Sequence, residues 1–323
     1  MSTPSTVSLP SSVLDDCVSL PMSVRSSLSS NPDAADMSME LPPDASGDEG
    51  ASDSETNPCA FDDDNDWINA EDEQRELLEL CQECCQTLAP TPAAASNLLG
   101  FHDVCEFYSP PRVCTSARQQ GLVALLSCDL LTGWDFRESR LRRLSVDLLI
   151  QLRITFVMLC PPCTIFSVLQ RVWNFKYWTQ EVIDFRWNEG VTFVDHSMLC
   201  ARIQHEQDRY FAFEHPYRSG AWDLESVQYV SRLSGVHVFD FDMCLLGLTS
   251  KVSGLPMRKR TRLMTNVPGL ASALRGRFCD GSHGDFHQVI QGFEGGVSRS
   301  SWAQTYPRSF CDLVAREVAN LQR

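Results

Sequence analysis

The sequence predicts an α/β fold, a mainly parallel sheet with helices on both faces, preceded by a disordered acidic N-terminal arm. Three observations carry this. From Phe101 onward, short apolar runs alternate with helical segments, the pattern of strands joined by crossover helices. Charge divides the chain sharply. The first hundred residues hold 20 of the 42 Asp and Glu but only two of the 27 Lys and Arg, Arg25 and Arg75, so the remainder carries 22 acids against 25 bases. Residues 1–65 are rich in Ser, Pro, Asp and Ala, as in "PPDASGDEGASDSETN", with too little apolar surface to offset the entropy of ordering.

Taken in order, residues 66–88 place Leu77, Leu80, Cys81, Cys84 and Leu88 three and four apart, an amphipathic helix suited to a protein partner. Residues 89–100, with "APTPAAAS", read as a linker. The body follows over 101–262. "HDVCEFYS" reads as a strand, "TSARQQGL" as a short helix, "LVALLSCD" as an apolar run ending in an acid, and "RESRLRRLSVDLLIQL" as a helix. "RITFVMLC" is a further strand, "TIFSVLQRVWNF" begins a helix, and "YFAFEHP" and "VHVFDFDMC" follow with helical segments before each. Residues 263–323 are expected to complete the fold with a Cys/His loop and a C-terminal helix.

The 14 cysteines lack a secretory leader ahead of them, which points to reduced thiols in an intracellular protein, nuclear or cytoplasmic. No apolar run approaches the roughly 20 residues of a membrane span, so no membrane partner is expected.

In parallel sheets, ligands gather at the carboxyl ends of strands. Those ends hold Ser109-Pro110-Pro111, Asp129, Pro161-Pro162-Cys163 and Glu214-His215-Pro216. Two prolines lack N–H donors and fix φ, so the chain must leave the sheet before Cys163. A thiol held at such an exit is either packing material or a nucleophile, the latter if a helix N-terminus lowers its pKa. Glu214 is a catalytic carboxylate or a cap on the following helix. "RKRTR" (258–262) is a phosphate-binding or nuclear-import patch, or part of a site. Asp129 and Asp135 are ligand contacts or ordinary loop acids.

In this order, the segments resemble the DNA cytosine-C5 methyltransferases. "PPCTIFS" is similar to that family's proline-cysteine motif, "FAFEHP" to its Glu-Asn-Val motif, "GLPMRKRTRLMTN" to its Pro-Gln-x-Arg-x-Arg strand, and "WAQTYP" to its last motif. A closer resemblance is to retroelement-associated methyltransferase-like reading frames of algal genomes, in "PPCTIFSVLQ", "FEHPYRSGAWD", "DMCLLGL", "CDGSH" and "WAQTYP". The resemblance implies a Rossmann-like, S-adenosylmethionine-methyltransferase type of sheet and a nucleic-acid substrate. It implies Cys163 as nucleophile, with Glu214, Arg260 and Arg262 as its catalytic partners. For S-adenosylmethionine it implies Glu106, Tyr108, Asp129, Asp135 and Pro161. The β-strand loop that would hold this cofactor departs from the family, with Ser109-Pro110-Pro111-Arg112 and no glycine before Gly121. A catalytically inactive nucleic-acid-binding protein on the same fold is the alternative.

A second constellation lies in "CDGSHGDFH". Cys279, His283 and His287 are four residues apart, thiolate and imidazole donors suited to structural zinc, with Cys244 or Cys311 as a further ligand. A polar loop with solvated histidines is the competing reading.

Overall fold

The computed structural model describes residues 102–124, 126–168, 170, 175–282 and 286–322. The expected acidic arm (1–65), amphipathic helix (66–88) and linker (89–100) lie outside the described residues, as does His283.

The elements are β1 (Val104–Phe107), α1 (Val113–Gln119), β2 (Leu126–Cys128), α2 (Ser139–Gln151), β3 (Phe156–Leu159), α3 (Gln180–Glu206), β4 (Tyr210–Pro216), α4 (Glu225–Ser231), β5 (His237–Asp242), β6 (Arg260–Thr265), α5 (Pro268–Leu274), β7 (Phe293–Glu294), β8 (Val297–Ser298), α6 (Arg299–Trp302) and α7 (Arg308–Asn320). The first six strands that pair in one sheet run in the order β2-β1-β3-β4-β6-β5, and β7 pairs only with β8. Pairs β1–β2, β1–β3 and β3–β4 are parallel, whereas β6 runs antiparallel to both β4 and β5. The fold is therefore α/β with a mainly parallel central sheet, as its alternating runs predict.

Alternation along each strand builds two cores. Cys105, Phe107, Val157, Leu159, Phe211 and Phe213 face α2, α3 and α4, where Leu148, Leu149, Val194 and Val227 meet them. Val104, Phe156, Met158, Ala212, Phe241 and Leu263 face the other way, toward Val113, Leu270, Phe310 and Val314 from α1, α5 and α7. Period-2 burial on both faces requires helices on both. Leu263, Leu270 and Phe310 belong to this second core, so residues beyond 262 are integral to it.

Of the helix expected after Cys163, Val168 and Gln170 are helical and residues 169 and 171–174 lie outside the described residues, while Thr164–Phe166 ahead of them form a turn. That turn is clamped by α3 at Gly190, where an added Cβ would stand 2.6 Å from Ile165 Cγ2 and 3.0 Å from Phe166 Cε2. Gly190→Ala should push Ile165 and Phe166 outward and cost about 1–3 kcal/mol, read as a lowered urea midpoint.

Two buried histidines shape the response to acid. His196 is satisfied on both nitrogens, by the Tyr108 hydroxyl at 2.8 Å and Ser145 Oγ at 2.9 Å. His215 is fully buried among Phe166, Phe213 and Trp222, and neither ring nitrogen has a hydrogen-bond partner among the described residues. Burial lowers both to about 3, with Arg142 adding to the effect at His196 and Lys259 at His215. The unfolded chain, with histidines near 6.5, binds more protons between these values, so stability held above about pH 6.5 is lost as pH falls toward 3. His215→Leu, of similar volume, should flatten that loss by a few kcal/mol, measured by urea unfolding at pH 7 and 4.5. An unchanged pH dependence would exclude His215 as a source of it.

Candidate active site at the carboxyl ends of β1, β3 and β4

Strand order reverses direction between β1 and β3, since β2 lies on one side of β1 and β3 on the other. Such a switch point opens a crevice at the carboxyl ends of its two strands. Here its walls are Ser109-Pro110-Pro111 after β1 and Cys160-Pro161-Pro162-Cys163 after β3.

On the β3 side, Pro161 is buried and Cys163 half-buried. Burial pushes the Cys163 thiol up, opposed by the Lys259 ammonium and reinforced by the charge of Glu214. The sequence-based expectation of a thiol lowered by a helix N-terminus is thus replaced by a thiol raised by burial and eased by one cation. Cys160 is pushed up further, mainly by burial and then by Glu214.

Glu214, on β4, is the centre of the cluster. Its Oε2 accepts a hydrogen bond from the Tyr306 hydroxyl at 2.8 Å. Its Oε1 lies 3.3 Å from Lys259 Nζ, an ion pair at that distance but without hydrogen-bond geometry, so Oε1 has no hydrogen-bond partner among the described residues. Lys259 Nζ also lies 5.8 Å from the Tyr306 ring centroid, within cation–π range.

Arg260 and Arg262 are not brought to Glu214. In the β4–β6 register Glu214 faces Leu263 and His215 faces Arg262, so the arginines project on His215's side of the sheet and the odd-numbered residues of β6 on Glu214's. Arg262 instead forks onto Asp240, at 2.6 and 3.2 Å, with its guanidinium over Tyr217 and Trp222. Arg260 forks onto Asp242 at 3.0 and 3.1 Å. Both are cross-strand partners in the β5–β6 register. Burial alone would raise the Asp242 carboxyl, yet Arg260, the Cys279 N–H and Arg258 together hold it below the usual carboxylate range.

On the β1 side, Glu106 is fully buried. It accepts from the Cys114 N–H at 2.7 Å and from Ser109 Oγ at 3.0 Å, and burial raises its carboxyl despite these donors. Tyr108 takes a left-handed φ of 60°, a conformation that glycine adopts without steric cost. Its ring turns away from the crevice to pack on Phe136 and Phe193, and its hydroxyl meets His196.

At the end of β2, Asp129 Oδ1 accepts from the Leu131 N–H at 2.9 Å, capping a turn on which Leu130 and Leu131 are 63% and 81% exposed. Asp135 is bound by Arg137, with Nε to Oδ1 at 2.8 Å, and this hydrogen bond holds its carboxyl below the usual range.

Cys279 and His287 come together away from this crevice, with Sγ 3.3 Å from Nε2. Cys244 joins them. Two members of the crevice, Lys259 and Tyr306, were not assigned to it by sequence. Strand parity was the available signal for Lys259; Tyr306 arrives from a distant segment and had none beyond its place in "WAQTYP".

No protein-family model and no curated protein matches the chain. The solved structures that match include the methyltransferase EhMeth of Entamoeba histolytica, 13% identical, with a TM-score of 0.31. The match covers 51% of this chain and 52% of that one, so the chain spans about half the length of that protein.

Proposed function

We propose that this is a methyltransferase-like domain, of the retroelement-associated kind its motifs resemble, whose crevice engages a cytosine in nucleic acid through Cys163. The observation that carries the reading is the Glu214 carboxylate. It is anchored on one oxygen by Tyr306, its other oxygen has no hydrogen-bond partner among the described residues, and it lies within electrostatic reach of the Cys163 thiol. A carboxylate with an unused acceptor suits the exocyclic amine of cytosine, and Lys259 offsets charge that develops on the ring. The base reaches Cys163 from a single strand or after leaving the duplex.

The chemistry begins with the thiolate. Its sulfur bonds to C6, the C5=C6 electron pair shifts toward N3, and N3 takes a proton. C5 then accepts a solvent proton and loses its original hydrogen to solvent, N3 gives back its proton, and the sulfur leaves as thiolate while the C5=C6 bond re-forms. Cytosine is regenerated with exchanged hydrogen at C5, a reaction that needs no methyl donor.

Methylation would need S-adenosylmethionine, and the crevice matches that cofactor on one side only. Asp129 beside exposed Leu130 and Leu131 suits an adenosyl group, with an acid for ribose hydroxyls and apolar surface for adenine. The β1 loop does not fit the methionine end. Pro110 and Pro111 offer no N–H, and Glu106 already occupies the Cys114 amide. This mismatch favours a second reading, a base-binding domain that retains the thiol site without methyl transfer.

Two measurements test these readings. The full chain, incubated in deuterated buffer with single-stranded DNA or RNA oligonucleotides, should exchange cytosine H5, seen by mass spectrometry. Cys163→Ser should reduce that exchange by a factor on the order of a thousand. The rate should climb with pH, because only the thiolate attacks. Lys259→Gln removes the cation that eases the thiol and should move the profile to higher pH. Absence of exchange in the wild type at any pH sinks the thiol mechanism. Calorimetry with S-adenosylmethionine then separates the two readings, a heat of binding supporting methyl transfer and its absence supporting base binding alone.

A further inference from the structure

Outside the crevice, three soft donors from three separate segments converge. Cys244 lies on the short turn Met243–Leu246 directly after β5, Cys279 on the extended segment after α5, and His287 next to the isolated bridge between Met257 and Gln288. Their ligand atoms all lie within 4.8 Å of one another, and Cys279 Sγ stands 3.3 Å from His287 Nε2. In a tetrahedral zinc site, with bonds of about 2.3 Å to sulfur and 2.0–2.1 Å to nitrogen, adjacent donors stand roughly 3.5–3.8 Å apart. Small side-chain adjustments therefore bring all three into coordination range.

We propose that Cys244, Cys279 and His287 bind a zinc ion. Two thiolates and an imidazole are the donor set that zinc prefers over magnesium, calcium or manganese. Both cysteines are buried, at 6% and 7% exposure, which protects the thiolates from solvent and oxidation. The backbone is arranged to support them. The Gly281 N–H points at Cys279 Sγ at 3.4 Å, a donor that stabilises charge on sulfur. The Cys279 N–H donates to Asp242 Oδ2 at 2.9 Å, and Arg258 donates to the Cys279 carbonyl at 3.1 Å. These contacts fix the position of the central ligand.

The surrounding segment explains what the ion does. Between α5 and α6 the described chain contains only β7 and β8, two residues each, and leaves Phe278, Phe286, Val289 and Phe293 exposed. Such a segment buries too little apolar surface to hold its own path, and a metal cross-link substitutes for the missing core. The ion ties that segment to the end of β5. Through Asp242 it also fixes the start of β6, where Arg258 and Arg260 flank Lys259.

The full chain, purified without chelator, should carry about one zinc per molecule by elemental mass spectrometry. Cys279→Ser and Cys244→Ser should each lower that content by about tenfold or more, while His287→Cys, which keeps a soft donor, should retain it. Cys163→Ser and Cys311→Ser should leave it unchanged, so that the metal site and the thiol chemistry fail or stand separately. Replacing zinc by cobalt(II) should give thiolate-to-cobalt charge-transfer absorption that Cys279→Ser abolishes. A wild-type chain without zinc that also gives no charge-transfer band on cobalt addition overturns the proposal. So does a Cys244–Cys279 disulfide found in freshly purified, unreduced protein.

Discussion

The antiparallel pairing of β6 against β4 is the constraint on which the rest of the site depends. Glu214 and His215 are consecutive and so face opposite sides of the sheet. The strand that pairs with them begins at Arg260 and is led in by Arg258 and Lys259, so that successive cations of this run fall on opposite faces. One register therefore decides which cations reach the carboxylate and which do not. Odd positions send Lys259 to Glu214. Even positions send Arg260 and Arg262 to Asp242 and Asp240, their cross-strand neighbours on β5. A slip of one residue would exchange the two sets and leave buried carboxylates on one face facing no cation.

The same sheet sets the character of the thiol. The proline pair ends β3 at the switch point, and Cys163 sits beyond it on a turn held against α3 by the absence of a side chain at Gly190. Burial at that turn disfavours the thiolate, and Lys259, with a smaller contribution from a backbone hydrogen bond, works against it. The β6 register thus delivers Lys259, the cation that favours the thiolate of Cys163. Glu214 raises the thiol pKa further, so a ligand that engages the carboxylate would also relieve a charge acting on the sulfur.

Much of this was legible in sequence, and the reason differs by element. The parallel strands announce themselves because strands buried on both faces are continuous apolar runs, as in Phe156–Leu159. The helices that cover them follow from 3.6-residue periodicity. The candidate positions could be named because ligands in such sheets gather where runs end, which singled out Cys163, Asp129 and Glu214. β6 was harder. "RKRTRLMT" is half charged and looks like a basic patch until its cross-strand acids, Asp240 and Asp242, are known to lie beside it. The roles of Arg260 and Arg262 could be separated from that of Lys259 only by parity against β4, a long-range register. Tyr306 was beyond local reading, because it joins its cluster from a segment far away in the chain, and Cys244 could be named only alongside Cys311 as a further ligand before the fold placed it beside Cys279. Tyr108, expected at the cofactor, was not legible: its backbone is left-handed, and its ring packs into the α2–α3 core and bonds His196.

The two clusters are linked through one side chain. Asp242 receives the Cys279 N–H and both Arg258 and Arg260, and it is fully buried. A buried carboxylate with three donors is costly to disturb, because each one removed weakens the compensation of its charge. Motion of the Cys279 segment must therefore either break that network or carry the start of β6 with it. Because Lys259 lies between the two arginines, its reach to Glu214 follows. The C-terminal Cys/His segment is in this sense part of the scaffold of the candidate site, tied through Asp242 to the segment that carries Lys259.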